Sequence, residues 1–346
     1  MIQSTRNRAG ARAEEALRVE PLLDLGEIEP AEWDQLARRS RNVFATREWI
    51  TSWWEVFGGA GSLLSFACRA ADGRLRALLP MYVRPGRSGR ELRFLGHGLA
   101  DRLGPVCAPG DRPAAASALR RVMEESRGQF ERFIGDDLPE QERWGLALGA
   151  RTIRRTTSPL LRAPGSDWNS FLEGRSAHFR QQLRRREGRL VRDHALRYRL
   201  AEVSSRLGAD VDGFFRLHEA RWAGASRSFA GPRTDFHRKF AARALERGWL
   251  RLWIAEVESR PAAAWYGFRY AGAEWCYQAG RDRRYDGLSV GFVLLAHAIR
   301  AALDDGVGEY KLLRGNEPYK WRFANGDEPL ETVTVVREDL ERCPHG

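Results

Sequence analysis

The sequence predicts an α/β protein made of two similar halves, each a mixed, mainly antiparallel sheet flanked by helices. Three observations lead there. The chain has 346 residues, room for two domains at roughly 100–200 residues each. Hydrophobic residues make up 43% and charged residues 30%, the composition of a chain that buries a core. The succession hairpin, strand, helix, strand is readable twice, with the change near Ala163-Pro-Gly-Ser-Asp. Residues 1–18, polar and charged, read as a flexible tail, 19–163 as the first domain and 164–346 as the second.

The elements follow from local pattern. A helix starts at Pro30 with Trp33 and Leu36 on one face. Trp49, Ile50, Trp53, Trp54 and Phe57 recur at helical spacing over 46–57, and Gly58-Gly59 ends that helix. Segments 63–70 and 75–83 flank Ala71-Asp-Gly-Arg74, a hairpin signal. Segments 91–96, 104–107 and 129–135 read as extended, and 113–126 as a helix. In the second half, helices are predicted at 168–172, 177–193, 210–222 and 235–247. Strands are predicted at 196–201, 250–257, 262–270 and 273–279, with a second hairpin around Glu258-Ser-Arg-Pro261. The apolar helix 289–303 stops at Asp304-Asp-Gly306, and strands follow at 310–313 and 330–336.

Charge and cysteine content narrow the function classes. A net charge of +11 and a pI near 10 are compatible with a nucleic-acid partner. Only three of the 57 basic residues are lysines, however: Lys239, Lys311 and Lys320. So strong an arginine skew reads as genome composition rather than selection for a polyanion, and nucleic acid is not taken as the main partner. Cys68, Cys107, Cys276 and Cys343 are widely spaced, with no CxxC pair and no histidine at ligand spacing, so neither a disulfide scaffold nor a metal site is indicated. No segment approaches about 18 consecutive apolar residues, and the N-terminus has no apolar secretory core. The expectation is a soluble cytoplasmic protein without metal, with monomer and homodimer both open.

The chemistry concentrates in Cys276-Tyr-Gln-Ala-Gly-Arg-Asp-Arg-Arg-Tyr-Asp-Gly-Leu-Ser-Val-Gly291. A strand runs into an Arg-rich loop that opens a helix. First-turn N–H groups and the helix dipole attract phosphate, and small residues at Gly287, Ser289 and Gly291 let a backbone approach closely. There is neither a Walker loop nor a dinucleotide fingerprint. An ordinary helix with Ser289 as its N-cap explains the same residues.

Arg284-x-x-Gly287-x-Ser289 between a strand and a helix resembles the donor-binding unit of the GNAT acyltransferases. The second half is most similar to the GNAT-type domain of cellulose-biosynthesis (CelD-like) acetyltransferases. The matching stretches are Leu217-His-Glu-Ala-Arg-Trp222, Arg283 to Gly291, the helix that follows, and Leu313-Arg-Gly-Asn-Glu-Pro-Tyr-Lys-Trp321. The tandem arrangement also resembles the Fem-type aminoacyl transferases, more distantly. The family's Asp at the start of the last strand is replaced here by Glu309-Tyr310.

The resemblance implies tandem GNAT-like domains, the first degenerate and without donor. It implies transfer of an acyl group from acyl-CoA to an amine or hydroxyl of a small-molecule or saccharide acceptor, in polysaccharide or cell-envelope metabolism. The donor would be held by Gln278, Arg283, Arg284, Gly287, Leu288, Ser289, Val290 and Gly291. Acyl transfer needs a deprotonated nucleophile and a stabilised leaving thiolate. Tyr319 is the candidate acid, though a packed aromatic is an equal reading, and Glu219 the candidate base, though a solvated helix residue fits it too. His218, Arg221, Trp222, Arg314 and Lys320 are candidates for holding the acceptor. Trp222 also reads as core, His218 as a satisfied buried histidine, and Lys320 as a partner of Glu317. Residues Arg175, Arg180, Arg184, Arg185, Arg186, Arg189 and Arg192 form a basic helix that reads as a solvated face, an anionic-lipid surface or a tRNA contact. Two alternatives remain: a Fem-type transferase using aminoacyl-tRNA, and a non-catalytic binding module.

Overall fold

The computed structural model describes residues 16–223, 226 and 228–341. Its strands are β1 (Arg18–Leu22), β2 (Ser62–Leu63), β3 (Ser65–Arg69), β4 (Leu75–Leu79), β5 (Met81–Gly86), β6 (Gly89–Phe94), β7 (Val106–Cys107), β8 (Arg132–Pro139), β9 (Arg151–Thr156), β10 (Pro159–Arg162), β11 (Arg197–Leu200), β12 (Leu250–Val257), β13 (Arg260–Tyr270), β14 (Ala273–Arg281), β15 (Glu309–Lys311), β16 (Gly326–Asp327) and β17 (Leu330–Val336). The helices are α1 (Pro30–Ser40), α2 (Arg47–Phe57), α3 (Arg112–Glu125), α4 (Trp144–Ala147), α5 (Trp168–Glu173), α6 (Ala177–His194), α7 (Ser204–Trp222), α8 (Pro232–Glu246), α9 (Val290–Asp304), α10 (Pro318–Trp321) and α11 (Arg337–Glu341).

Local chemistry sets most boundaries. Thr46 caps α2 by accepting a hydrogen bond from the Trp49 N–H, as N-cap hydroxyls do. The segment read as one strand over 75–83 is two. Pro80 has no N–H to give a ladder, and the chain changes sheets there. β4 joins a four-stranded sheet, β1-β3-β4-β7, and β5 a six-stranded one, β2-β5-β6-β8-β17-β9. The third sheet has seven strands, β11-β12-β13-β14-β15-β10-β16. Both larger sheets are mixed and mainly antiparallel, with β6–β8 and β14–β15 the parallel pairs. The α/β expectation therefore holds. The repeat is real in topology: β5–β6–α3–β8 and β13–β14–α9–β15 each place a helix between antiparallel and parallel neighbours.

The two halves are interlocked. β10, which precedes the anticipated boundary at Ala163, pairs with β15 in the sheet of the second half. β17, from the far end of the chain, inserts between β8 and β9 in the sheet of the first. Arg18, which the sequence reading placed in a tail, begins β1, paired with Arg69, and Leu17 is buried. Residues 1–15 and Cys343 lie outside the described residues. Cys68, Cys107 and Cys276 are buried free thiols. Among the described residues, no helix is long and apolar enough to cross a membrane.

One face of the seven-stranded sheet is covered by α5, α6 and α9, the other by α7 and α8 with α2 against them. Trp49 is the hub of that second layer. Its ring meets Phe44 at 4.7 Å, Phe240 at 4.7 Å, Phe236 at 4.9 Å and Tyr277 at 5.8 Å, all edge-on. Such pairs contribute about 0.5–1.5 kcal/mol each beyond their buried area, and these join residues of both halves.

A polar junction reinforces that core. After β15 the chain turns through Leu313 (φ 59°) and Gly315 (φ 122°). Lys320, almost fully buried, donates to the carbonyls of Leu313 (3.2 Å) and Arg314 (2.6 Å) and pairs with Glu317 at 3.0 Å. Arg314 reaches into the first half, 2.6 Å from Asp137 and 3.2 Å from Asp101, two carboxylates that are 5% exposed. Burial lifts the Asp101 carboxyl to about 6, against the pull of Arg314. Truncating Arg314 strands Asp101 and leaves Asp137 with Arg154 alone, 2.8 Å away, so Arg314→Ala should cost about 3 kcal/mol in urea unfolding. A carboxyl raised on folding binds extra protons in the native state, so its contribution falls as pH rises from about 4 towards about 6. Unfolding measured across that window should fall less with pH in Asp101→Asn than in the parent.

Candidate functional site

The site is built on the outer half of β14. Opposite β13, Tyr266 faces Gln278 and Gly267 faces Cys276, so Tyr277 is an extra residue in a bulge. Gly267 is required there, because a Cβ would lie 2.3 Å from the Trp275 carbonyl oxygen. β14 pairs with β15 over only Ala273–Glu309, Glu274–Tyr310 and Trp275–Lys311. It then runs on to Arg281 while the neighbouring chain turns away through Leu313. A cavity of about 290 Å³ lies beyond, bounded by Trp265, Ala279 and Gly280 of the sheet, Ser289, Gly291 and Phe292 at the start of α9, and Arg221 and Tyr319.

The loop entering α9 is ordered by its own polar groups. The Asp282 side chain accepts from the Arg284 N–H at 2.9 Å and pairs with the Arg284 guanidinium; Arg281 pairs with Asp286. A 3-10 turn over Arg283–Leu288 leads to Ser289 in the left-handed region, φ 57°. Ser289 occupies the N-cap position, and its carbonyl accepts from Phe292 and Val293, but its side chain does not cap. That leaves the first-turn N–H groups of Val290 and Gly291 without intrahelical partners, and Gly291 lines the cavity. A Cβ at Gly287 would meet nothing within 4 Å, so that backbone is open to approach. Arg283, Arg284 and Gly287 are exposed and Leu288 is half-buried. The Val290 side chain is buried in the core, which leaves only its backbone for a donor.

The predicted residues divide into those the fold brings together and those it does not. Tyr319, Arg221, Ser289 and Gly291 share the cavity. Arg221 donates to the Ala279 carbonyl at 3.3 Å and stacks over Trp222 (5.0 Å) and Tyr319 (5.7 Å). Trp222 is 37% exposed rather than core. Burial pushes the Tyr319 phenol up to about 12, although Arg221 opposes it. Tyr319 therefore keeps its proton at neutral pH and serves as a hydrogen-bond donor more readily than as an acid.

Four of the candidates lie outside that cavity. Glu219 is exposed and borders a separate cleft between α7 and α8, not the cavity of Tyr319, because successive helical residues point about 100° apart. Arg314 is bound to Asp101 and Asp137, and Lys320 to the Leu313–Arg314 turn and Glu317. Both orient toward structural partners rather than the cavity. His218 is not a satisfied histidine: it is 2% exposed, its Nε2 has no partner, and burial lowers its pKa to about 4. Gln278, opposite Tyr266 of β13, is half-buried.

Sequence reasoning missed Gly280, Trp265 and Phe292. A Cβ at Gly280 would stand 2.5 Å from the His218 nitrogen and 2.6 Å from the Leu217 carbonyl carbon, so this glycine lets α7 seat on β14. The Trp265 Nε1–H donates to the Gly291 carbonyl at 3.1 Å. A glycine inside a strand pattern was the available signal for a close backbone approach. Also missed was a group of partnerless buried atoms around α8: Trp49 Nε1, both His237 nitrogens and the Tyr266 hydroxyl.

Residues 177–321 match the family model of the acetyltransferase (GNAT) domain. That stretch starts with α6 and ends with α10, enclosing the cavity's walls. No curated protein matches the chain in sequence. Among solved structures, FemX superposes with a TM-score of 0.64 at 8% identity, over 89% of this chain and 96% of that one. The C-terminal domain of a putative lysylphosphatidylglycerol synthetase from Agrobacterium fabrum gives 0.57 at 13%, over 88% and 92%. A tandem GNAT protein from the clavulanic acid biosynthesis pathway gives 0.55 at 14%, over 95% and 100%. At these identities the likeness concerns the fold, and it extends through both halves.

Two substitutions test the packing of this site. Gly280→Ala must push α7 from β14 and should destabilise by about 1–3 kcal/mol. Tyr266→Phe removes a buried hydroxyl that has no partner and should stabilise by about 1 kcal/mol. Thermal unfolding of both variants beside the parent gives the two opposite signs.

Proposed function

We propose that the protein is an acyltransferase that moves an acyl group from acyl-CoA to an amine, or to a hydroxyl, of a small or saccharide acceptor. The observation that carries this reading is the cavity between the parted β14 and β15, with the first turn of α9 at its rim. The residues suit such a donor. Its thioester supplies the activated acyl group. The Val290 and Gly291 N–H groups and the open glycine at 287 suit a pyrophosphate, with Arg283 and Arg284 close by in the chain. Ala279, Trp265 and Phe292 offer an apolar wall to its thiol arm. Arg221 and Tyr319 stand where hydrogen-bond donors stabilise an oxyanion. Positioning by such a cleft is itself worth several kcal/mol, on the order of 7 at best.

The first half is assigned a bracing role without donor. The Asp111 carboxylate, paired with Arg76, sits at the start of α3, where it disfavours a second anion. A role in polysaccharide or envelope metabolism follows from the family resemblance and belongs to this proposal.

A second reading, aminoacyl transfer from tRNA, is favoured by one feature. Arg184, Arg185, Arg189 and Arg192 of α6 are exposed, a row suited to phosphates. The fold shared with FemX over both halves is compatible with it.

Calorimetric titration separates the two. Acetyl-CoA and CoA should bind with micromolar affinity, about −8 kcal/mol, and Gly287→Trp should abolish binding by filling the open backbone approach. A folded protein that binds neither CoA species, but binds tRNA with steep salt dependence, would reverse the order of the two readings.

A further inference from the structure

The arginines of α6 lie on two different faces. Arg184, Arg185, Arg189 and Arg192 are exposed, whereas Arg186 is half-buried. Phe179, Leu183 and Arg186 fall at helical spacing, on the stripe that α6 turns to α9 and the turn before it. The Arg186 guanidinium lies over the ring of Phe292, 5.3 Å from its centre. Arg322, the residue after α10, covers the same ring at 4.2 Å and that of Phe179 at 5.5 Å. Phe292 belongs to the first turn of α9 and lines the donor cavity. One aromatic ring is therefore shared by the cavity and by both cations.

That arrangement is electrostatically incomplete. An aromatic face attracts a cation but does not neutralise it. Among the described residues, neither Arg186 nor Arg322 pairs with a carboxylate; Arg322 donates to the side chain of Gln182, which carries no charge. Arg69, Arg199 and Arg314 are half-buried too, and each has an acid: Glu32, Asp210 and Asp101. Burial holds the Arg186 and Arg322 guanidinium groups below the usual arginine range, with Arg185 opposing the charge of Arg186 and Arg186 that of Arg322. Like charges gathered over a partly desolvated ring repel one another. An anion supplied from outside the chain removes that repulsion.

Resting on the acyl-CoA reading above, we infer that Arg186 and Arg322 form a second phosphate site, for the 3′-phosphate on the donor's ribose. A CoA whose pyrophosphate lies at the first turn of α9 carries this group one ribose away. A phosphomonoester has close to two negative charges and three acceptor oxygens, which match two guanidinium forks. A phosphodiester, in tRNA or in a lipid headgroup, has a single charge and suits the pair less well. The two arginines thus make the nucleotide end of the donor, and not only its thioester arm, a point of recognition. They select CoA against donors that end in pantetheine or lack the 3′-phosphate.

Calorimetry on the whole protein compares acetyl-CoA with acetyl-3′-dephospho-CoA, which differ by that phosphate alone. The wild type should prefer acetyl-CoA by about 100-fold at low salt, the effect of two charge-assisted contacts. Arg186→Met and Arg322→Met should each cut the preference to about 10-fold. Affinity for the dephospho donor should stay at the wild-type value in both, which also reports that the variants are folded. Should Arg322→Met fail to fold, Arg186→Met carries the test. Adenosine 3′,5′-bisphosphate should displace acetyl-CoA better than adenosine 5′-monophosphate does, an advantage lost in Arg186→Met. Equal binding of the two donors by the wild type, or a preference that survives both substitutions, overturns the 3′-phosphate site and leaves the donor reading standing. Equal donor binding with Arg186-dependent capture of phosphatidylglycerol vesicles overturns it in favour of a lipid surface. Binding of neither donor overturns both readings.

Discussion

Everything at the site depends on β15 ending after Lys311. Had the chain continued beside β14, the parallel ladder would have closed over the cavity. It turns instead, because Leu313 and Gly315 adopt left-handed backbone and because Arg314, between them, is drawn into the first half by Asp101 and Asp137. Lys320 secures the same turn by taking two of its carbonyls. Buried charges are costly to desolvate, and a pair repays that cost only with good geometry and further hydrogen bonds. The junction has both, and it couples the opening of the seven-stranded sheet to the docking of the two halves.

That coupling explains why the halves are not independent beads. β10 and β17 each complete the sheet of the other half, and Trp49 packs a first-half helix against α8 and β14. The α7–α8 side of β14 is consequently packed by first-half residues. Tyr277 donates to the Leu99 carbonyl at 2.8 Å, and His237 lies near Trp49 at 6.4 Å between ring centres.

Much of the fold was legible because period and punctuation agree. The hairpin at Glu258-Ser259, the strand Leu330–Val336 and the helix before Asp305-Gly306 follow from alternation, turn residues and apolar runs that act within a few residues. Pro80 shows where such reading needs one more step: an uninterrupted apolar run hid a change of sheet that the missing N–H enforces. β1, β9 and the exchange of β10 and β17 carried no local signal, since their partners are distant in sequence. The site divides likewise. The Arg-rich loop, Ser289, Gly291, Arg221 and Tyr319 were legible as a strand–loop–helix unit and two motifs. The roles of Glu219, His218, Arg314 and Lys320 were not, because each is set by what stands opposite.

The sequence alone determined the α/β class, the twofold repetition, the donor-type loop and the residues rich enough in chemistry to matter. These rest on short-range physics: hydrogen-bond period, turn conformation and the amphipathic spacing of side chains. The tertiary structure decided that Glu219 opens to a cleft apart from the cavity of Tyr319, that Arg314 binds carboxylates of the first half while Lys320 holds the turn beside it, and that Gly280 seats α7 on β14. Those outcomes depend on burial and on which polar atoms are left without partners, quantities that exist only after distant segments have packed.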